Sequence, residues 1–408
     1  MKTDILIIGA GPSGTMAASM IRQAGLNAII IEKEQFPRYV IGESLLPRCM
    51  NLLDEGGFLK AVEKQNFQKK YGAVFIRNGN VCEFNFNEQY TQECWTWTWQ
   101  VPRDEFDKVL ADEAEKKGVE IRYKTEVTGI DFLNDKQLVH TKNADGNEQT
   151  IEAQFVIDAS GYGRVIPRLL DLDLPSSLAP RSSLFTQVED IHRPGGTAGD
   201  RITIVEVEQG VWIWIIPFSN GKTSVGVVAP PEFYNRYEGN YTEKLRKILD
   251  DEPNTTGRFK DVPYAFDSVF IESYSIAVKQ LYGNGWVLTG NASEFLDPVF
   301  SSGVTFAMES GWKAGMLAAR QLKGETVDWD KEYVKHILQG VEVFRTYVNA
   351  WYDDTLQTIF FTDNVSPKIK SQICSVLAGY VWDKSNPFVR NHHKTVYTLA
   401  GMLKEGKV

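Results

Sequence analysis

The chain has 408 residues, 43% hydrophobic and 24% charged, a globular balance with length enough for one large or two ordinary domains. Its net charge of −9, from 44 Lys and Arg against 53 Asp and Glu, argues against a broad nucleic-acid surface. No apolar run approaches the ~20 residues of a membrane span.

The N-terminus opens directly on DILIIG (4–9), which predicts a buried strand rather than a signal peptide. A helix rich in small residues follows at 13–24 and a second buried strand, NAIIIE, at 27–32. That is a βαβ unit, which implies a parallel sheet with right-handed crossovers. Residues 46–63 predict a helix, and 70–101 (YGAVFIRNGNVCEFNF, CWTWTWQV) alternate as antiparallel strands do. A helix is expected at 104–117, then strands at 119–123, 125–132 and 137–141, and a buried strand ending in a turn at FVIDASG (155–161). Residues 180–280 read as strands and loops of a second sheet, and GWVLTGNA (285–292) as a strand returning to the first. Helices are expected over 303–322, 330–362 and most of the remainder. Cys49, Cys82, Cys94 and Cys374 have no CxxC spacing and the five histidines no cluster. Reduced thiols in a cytoplasmic protein are therefore expected, with no metal.

GAGPSG joins the first strand to the first helix, and Glu32 closes the next strand. Gly9 permits the tight turn, Gly11 lets a pyrophosphate reach backbone N–H groups, and Gly14 lets helix and strand pack closely. The helix N-terminus favours the phosphate charge, and Glu32 can bind ribose hydroxyls, so FAD or NAD is implied rather than NADP. Two later segments bear on the choice. FVIDASGYGR sets Asp158 and Gly161 at a strand end, and GNASEFLDPVFSSGVTF sets Gly290, Asp297, Pro298 and Gly303 before a helix starting near Ser302. A helix start there can stabilise anionic oxygen or a reduced, negatively charged flavin.

The order of GxGxxG, acid, V-x-R-x-x-F-D (Val101, Arg103, Phe106, Asp107), D-A-S-G and G-N…D-P…S-G is similar to that of the aromatic-hydroxylase class of FAD enzymes. The resemblance covers the first three-quarters of the chain. It implies that Asp297 contacts the ribityl chain, that Arg103 helps hold the FAD, and that Asp158 and Gly161 belong to the cofactor site. Within that class, WIWIIP (Trp212, Trp214, Ile216, Pro217) resembles the W-x-W-x-I-P segment of flavin-dependent halogenases. FPRYVIGESLLP (36–47) resembles their loop beside the isoalloxazine ring and brings Glu43 and Ser44 to the cofactor. FQKKYG resembles their F-x-x-K-x-G segment and places Lys70 at the active lysine.

The resemblance implies an α/β fold: a Rossmann-like FAD-binding domain with an inserted β-sheet substrate domain and a helical C-terminal region. The expected boundaries are 1–175 for the FAD domain, with strands of 70–101 on the substrate side, then 176–284 for the substrate domain. Residues 285–325 return to the FAD domain and 326–408 form the helical region. The implied reaction uses reduced FAD, O2 and chloride or bromide, with halide at the backbone of Ser302, Gly303 and Val304. The oxidant would travel to Lys70, with Trp212 and Trp214 walling the flavin from an aromatic or apolar substrate, free or tethered to a carrier protein. No second strand–GxGxxG–helix unit exists, so a flavin reductase or transiently bound NAD(P)H would supply electrons. The alternative is a geranylgeranyl-reductase-like or hydroxylase-like flavoenzyme without halide chemistry.

Several residues carry two readings. Lys70 has Lys69 beside it, as solvated strand-edge pairs do, and W-x-W is also an ordinary core spacing. Glu43 can be a charge at the flavin edge or a helix N-terminal acid. Phe344, Tyr347, Trp351 and Phe360 can be core or lid. Two segments depart from the halogenase pattern: FIRNG, with Arg77 and Asn78 where a tryptophan is usual, and Glu294 in place of a small or apolar residue.

Overall fold

Two sheets organise the chain in the computed structural model, which describes residues 1–176, 178–272, 276–294 and 296–407. Phe295, inside the G-N…D-P…S-G segment, lies outside the described residues. In the first sheet the strand Lys2–Ile8 runs parallel to Ala28–Ile31 on one side and to Glu148–Asp158 on the other. Glu120–Arg122 extends one edge and Trp286–Leu288 the other, both parallel. The returning strand expected at 285–292 is therefore part of this sheet. Leu6 and Ile8 face one apolar cluster while Ile5 and Ile7 face another. A parallel sheet covered on both faces needs such unbroken β-branched and Leu runs.

On one face the helix Pro12–Gln23 lies against Gly303–Leu322. A Cβ at Gly311 would sit 2.2 Å from the Ser13 carbonyl oxygen, and one at Gly315 2.6 Å from that of Ala17. Only glycine lets these two backbones touch, and the contact aims both helix N-termini at the same space.

The second sheet has the order Val269–Ile271, Ser182–Glu189, Lys222–Ala229, Val211–Pro217, Ile202–Glu208, Gly72–Arg77, Asn80–Asn85. Its ladders are antiparallel except where Gly72–Arg77 pairs in parallel with Ile202–Glu208. Strand alternation divides Val211–Pro217 between two cores. Trp212, Trp214 and Ile216 face the first sheet's side, and Val211, Ile213 and Ile215 pack under Leu245, Ile248 and Leu249 of the helix Tyr241–Asp251.

That helix and its successor Pro253–Phe259 correct the expectation of strands and loops over 180–280. The signal was local: Asn240 and Glu243 form a capping box ahead of an apolar stripe at helical spacing. The helix expected over 46–63 is two, Arg48–Glu55 and Leu59–Glu63, parted at Gly57, where φ is +66°. The one expected over 330–362 is a π-helical turn at Asp330–Val334, then Lys335–Tyr352 and Thr355–Phe360. Asp354, at φ +69°, makes the last break. Phe344, Tyr347, Trp351 and Phe360 are core: Phe360 stands 5.1 Å from Phe75 and 4.9 Å from Phe84 between ring centres.

Candidate active site

A cavity of about 810 Å³ opens at the C-terminal ends of the first sheet's parallel strands, where open α/β sheets bind ligands, and reaches the Trp212 and Trp214 indoles of the second sheet. The glycine turn builds its floor. Gly9 has φ +99° and a Cβ there would lie 2.5 Å from the Ala159 oxygen, while one on Gly14 would lie 1.9 Å from the Gly9 oxygen. Gly11 differs. Its nearest neighbour would be Arg38 Nη2 at 3.5 Å, so its missing side chain leaves space at the helix start for an anion. Buried Glu32 accepts the Ala10 N–H on Oε2 at 2.8 Å and the Glu34 N–H on Oε1 at 2.9 Å. These bonds fix the carboxylate at the cavity wall with lone pairs left for ribose hydroxyls. The donor set and the cradle fit a dinucleotide.

Asp158 is set differently. Its two oxygens accept the Ser160 and Ile166 N–H groups at 2.9 and 2.7 Å, so it shapes the turn that presents Gly161 to the cavity and does not line the cavity itself. Arg103 grips Asp107 with two hydrogen bonds, 2.8 and 2.9 Å, and donates to the Ile41 and Gly42 carbonyls at 3.1 and 3.3 Å. It thereby pins the 36–47 loop, and Arg38 joins the same carboxylate at 3.0 Å.

That loop delivers Glu43 and Ser44 to the cavity wall. Behind Ser44 stands Lys70, 2% exposed, whose Nζ donates to Ser44 Oγ at 2.8 Å and to the Leu45 carbonyl at 2.9 Å. Burial pulls its ammonium down to about 7. Gln68–Lys70 pairs with Thr98–Gln100, and alternation along that strand sends Lys69 outward, over the Trp97 ring at 4.7 Å. The adjacent lysines thus divide into one solvated and one buried.

Trp212 and Trp214 both line the cavity with Ile202, Ile204 and Ile216. Trp214 lies flat across the neighbouring strand because residue 226 is glycine: a Cβ there would fall 2.4 Å from the indole. Trp214 Nε1 donates to Ser224 Oγ at 3.0 Å. Trp212 Nε1 donates to Tyr352 Oη at 3.1 Å, and Tyr352 donates to Asp297 Oδ2 at 2.7 Å. Asp297 also accepts the Val299 N–H at 3.0 Å. The helix Gly303–Leu322 starts beside these residues, with Gly303 and Val304 on the cavity wall and Ser302 just behind. Tyr352, Arg38 and Gln187, whose Nε2 donates to Glu43 Oε1, were not found from sequence, since their partners lie far along the chain. The two departures differ: FIRNG ends in a hairpin turn whose Arg77 pairs with Asp354 and Glu206, whereas Glu294, paired with Arg345, lines a small pocket with Gly290, Ser302 and Gly303 and so stands beside the helix start.

Residues 2–238 match the family model described as FAD binding domain. A crystal structure of a flavoprotein/dehydrogenase from Cytophaga hutchinsonii is similar over 100% of both chains, with 52% identity and a TM-score of 0.98. Tryptophan 2-halogenase of Chondromyces crocatus is 30% identical over 86% of this chain and 69% of its own length. The chain belongs to the flavin-dependent halogenases. A further member, the 1H-pyrrole-2-carbonyl-[peptidyl-carrier protein] chlorinase of Pseudomonas fluorescens, is 27% identical over 93% of this chain and 89% of its own. The cofactor of this halogenase is FAD, and the Gly9–Gly14 turn, Glu32 and the pinned 36–47 loop suit it. Among the described residues no group of three or more His, Cys, Asp or Glu could hold a metal, and no helix is long and apolar enough to cross a membrane.

Proposed function

We propose that this halogenase oxidises chloride or bromide at the flavin cavity and transfers the halogen, through Lys70, to an aromatic substrate. The observation that carries this reading is the position of Lys70, buried and one hydrogen bond behind the cavity wall through Ser44. Reduced FAD, when bound, supplies the two electrons with which O2 converts halide into hypohalous acid. The protein's part is to place, exclude and relay. The backbone N–H groups at Gly303 and Val304 offer a halide the positive end of a helix of 20 residues. The Trp212 and Trp214 indoles, each held by a hydrogen bond, keep an organic substrate off the cofactor and so favour halogenation over hydroxylation.

Lys70 meets the oxidant on the far side of Ser44. Because its pKa is brought down to about 7, a large fraction is neutral amine near neutral pH, able to take the halogen or to donate a hydrogen bond to hypohalous acid. The substrate we assign is a phenol or pyrrole, carrier-tethered by analogy with the relative that acts on a carrier-bound pyrrole. Electrons come from a separate flavin reductase or transient NAD(P)H. The test is to reduce the bound flavin chemically, admit O2 with bromide and a scavenger amine, and assay haloamine. Haloamine supports the reading, and peroxide alone moves the protein to the reductase or hydroxylase branch.

Tyr352 links the C-terminal helices to this site, since its hydroxyl joins Trp212 to Asp297. Removing a hydrogen bond to a charged group costs about 1.5–3 kcal/mol. Tyr352→Phe is accordingly expected to weaken FAD retention by about ten- to a hundredfold, read as flavin lost on desalting and as a raised Kd for added FAD. Retention equal to the parent would show that Asp297 does not need the Tyr352 hydroxyl to serve the cofactor.

A further inference from the structure

The reaction assigned above consumes a proton: FADH2, O2, halide and H⁺ give FAD, hypohalous acid and water. Among the described residues four carboxylates line the cavity: Glu32, Glu34, Glu43 and Glu126. Glu32 is held by two backbone N–H groups and, with exposed Glu34 and Glu126, belongs to the glycine-turn end. Glu43 alone of the four is buried beside Ser44 and the tryptophan wall, at 1% exposure.

Its setting comes from four elements. Gln187, on the strand Ser182–Glu189, donates from Nε2 to Glu43 Oε1 at 2.8 Å, and Tyr39 Oη stands 3.5 Å from the same oxygen. Ser224, the acceptor for Trp214 Nε1, brings its hydroxyl to the carboxyl from the strand Lys222–Ala229. Oε2 nevertheless finds no hydrogen bond of good geometry among the described residues. Arg103 and Asp104 act on it from the helix Arg103–Lys116 with opposite signs. A buried carboxyl held on one oxygen and open on the other is poised to exchange a proton with whatever occupies the cavity.

We propose that Glu43 is the proton donor of halide oxidation, with Gln187 and Ser224 as its positioning residues. The assignment rests on the halide reading above. The Glu43 O–H bond breaks and its proton passes to the oxygen atom of O2 that leaves as water. The carboxyl exchanges no electrons, and solvent restores its proton. Burial raises Glu43 to about 7 against the lowering by Ser224, Gln187 and Arg103, so the acid form is populated near neutrality.

The experiment compares the parent with Glu43→Gln and Gln187→Leu, each assayed for FAD content and for haloamine in a single turnover with bromide and scavenger amine across pH. In the parent, haloamine is expected to fall as pH rises through about 7. In Glu43→Gln the yield per bound flavin should drop by about 10²-fold and lose that limb. In Gln187→Leu the limb should move to higher pH, because an N–H that favours the carboxylate is gone. A merely structural role for Gln187 would lower yield without moving the limb. Infrared spectra of the oxidised holoenzyme, titrated without turnover, should show a carboxyl-to-carboxylate transition that Glu43→Gln lacks. A parent without that transition, or a Glu43→Gln profile matching the parent at every pH, overturns the assignment. Should Glu43→Gln fail to bind FAD, the Gln187→Leu limb and the parent infrared titration decide. A parent yielding peroxide and no haloamine overturns instead the halide reading on which the assignment rests.

Discussion

Lys70→Ala is expected to cut halogen transfer to a phenol or pyrrole probe by about 10²-fold or more, while halide oxidation, captured by a scavenger amine, persists. The separation follows from where the lysine lies. It does not line the flavin cavity, and its contacts are Ser44 Oγ, the Leu45 carbonyl and, at 5.6 Å, the Phe86 ring. On the path proposed above, its loss would remove the relay and leave the source of oxidant. Lys70→Arg divides the two roles open to an amine. A guanidinium keeps its charge and can donate hydrogen bonds, but it does not become a free nucleophile near neutral pH. Transfer retained in Lys70→Arg would show hydrogen-bond delivery, and transfer lost in both variants would favour a haloamine. In the haloamine case transfer should also rise with pH through about 7, as burial sets for this group, whereas the Glu43 limb falls. Scavenged and transferred halogen report the two limbs separately. Loss of scavenged oxidant in Lys70→Ala at full FAD content would place the lysine in oxidant formation and sink the relay.

Gly14→Ala is expected to abolish FAD binding and to cost about 1–3 kcal/mol of stability, the usual toll of overpacking. Its added methyl would lie 1.9 Å from the Gly9 carbonyl oxygen, and either the helix or the turn must move. Both moves spoil the N–H array that faces the phosphates. Gly11→Ala is the internal contrast. Its methyl meets nothing closer than Arg38 Nη2 at 3.5 Å, so the variant should fold with parental stability and lose cofactor affinity alone. Flavin absorbance per mole of protein and urea midpoints separate the two, and equal loss of stability in both variants would overturn this account.

These contrasts show what a linear sequence reveals. The dinucleotide turn and Glu32 were legible because most of their contacts are local or one βαβ unit away, although the Ala159 carbonyl that crowds Gly9 is not. The division of Trp212 and Trp214 from Ile213 and Ile215 followed from alternation along one strand. The fate of Lys70 against Lys69 did not, since it depends on how Gln68–Lys70 registers on Thr98–Gln100. Gln187 and Tyr352 were beyond reach, their partners 144 and 140 residues away. The helix Tyr241–Asp251 is the opposite case, with its capping box and stripe in plain view and strand context outweighing them.

The parallel pairing of Gly72–Arg77 with Ile202–Glu208 has a consequence for biogenesis. A nascent chain leaving the ribosome carries the strand Gly72–Arg77 long before its parallel neighbour has been translated, and Phe84 waits longer still for Phe360. Until then the hairpin exposes an open edge and an apolar face, the combination that invites misassociation. Non-local pairing of this kind also folds slowly. The apolar core that Phe84 shares with Phe360 is consequently closed only after residue 360 has been synthesised.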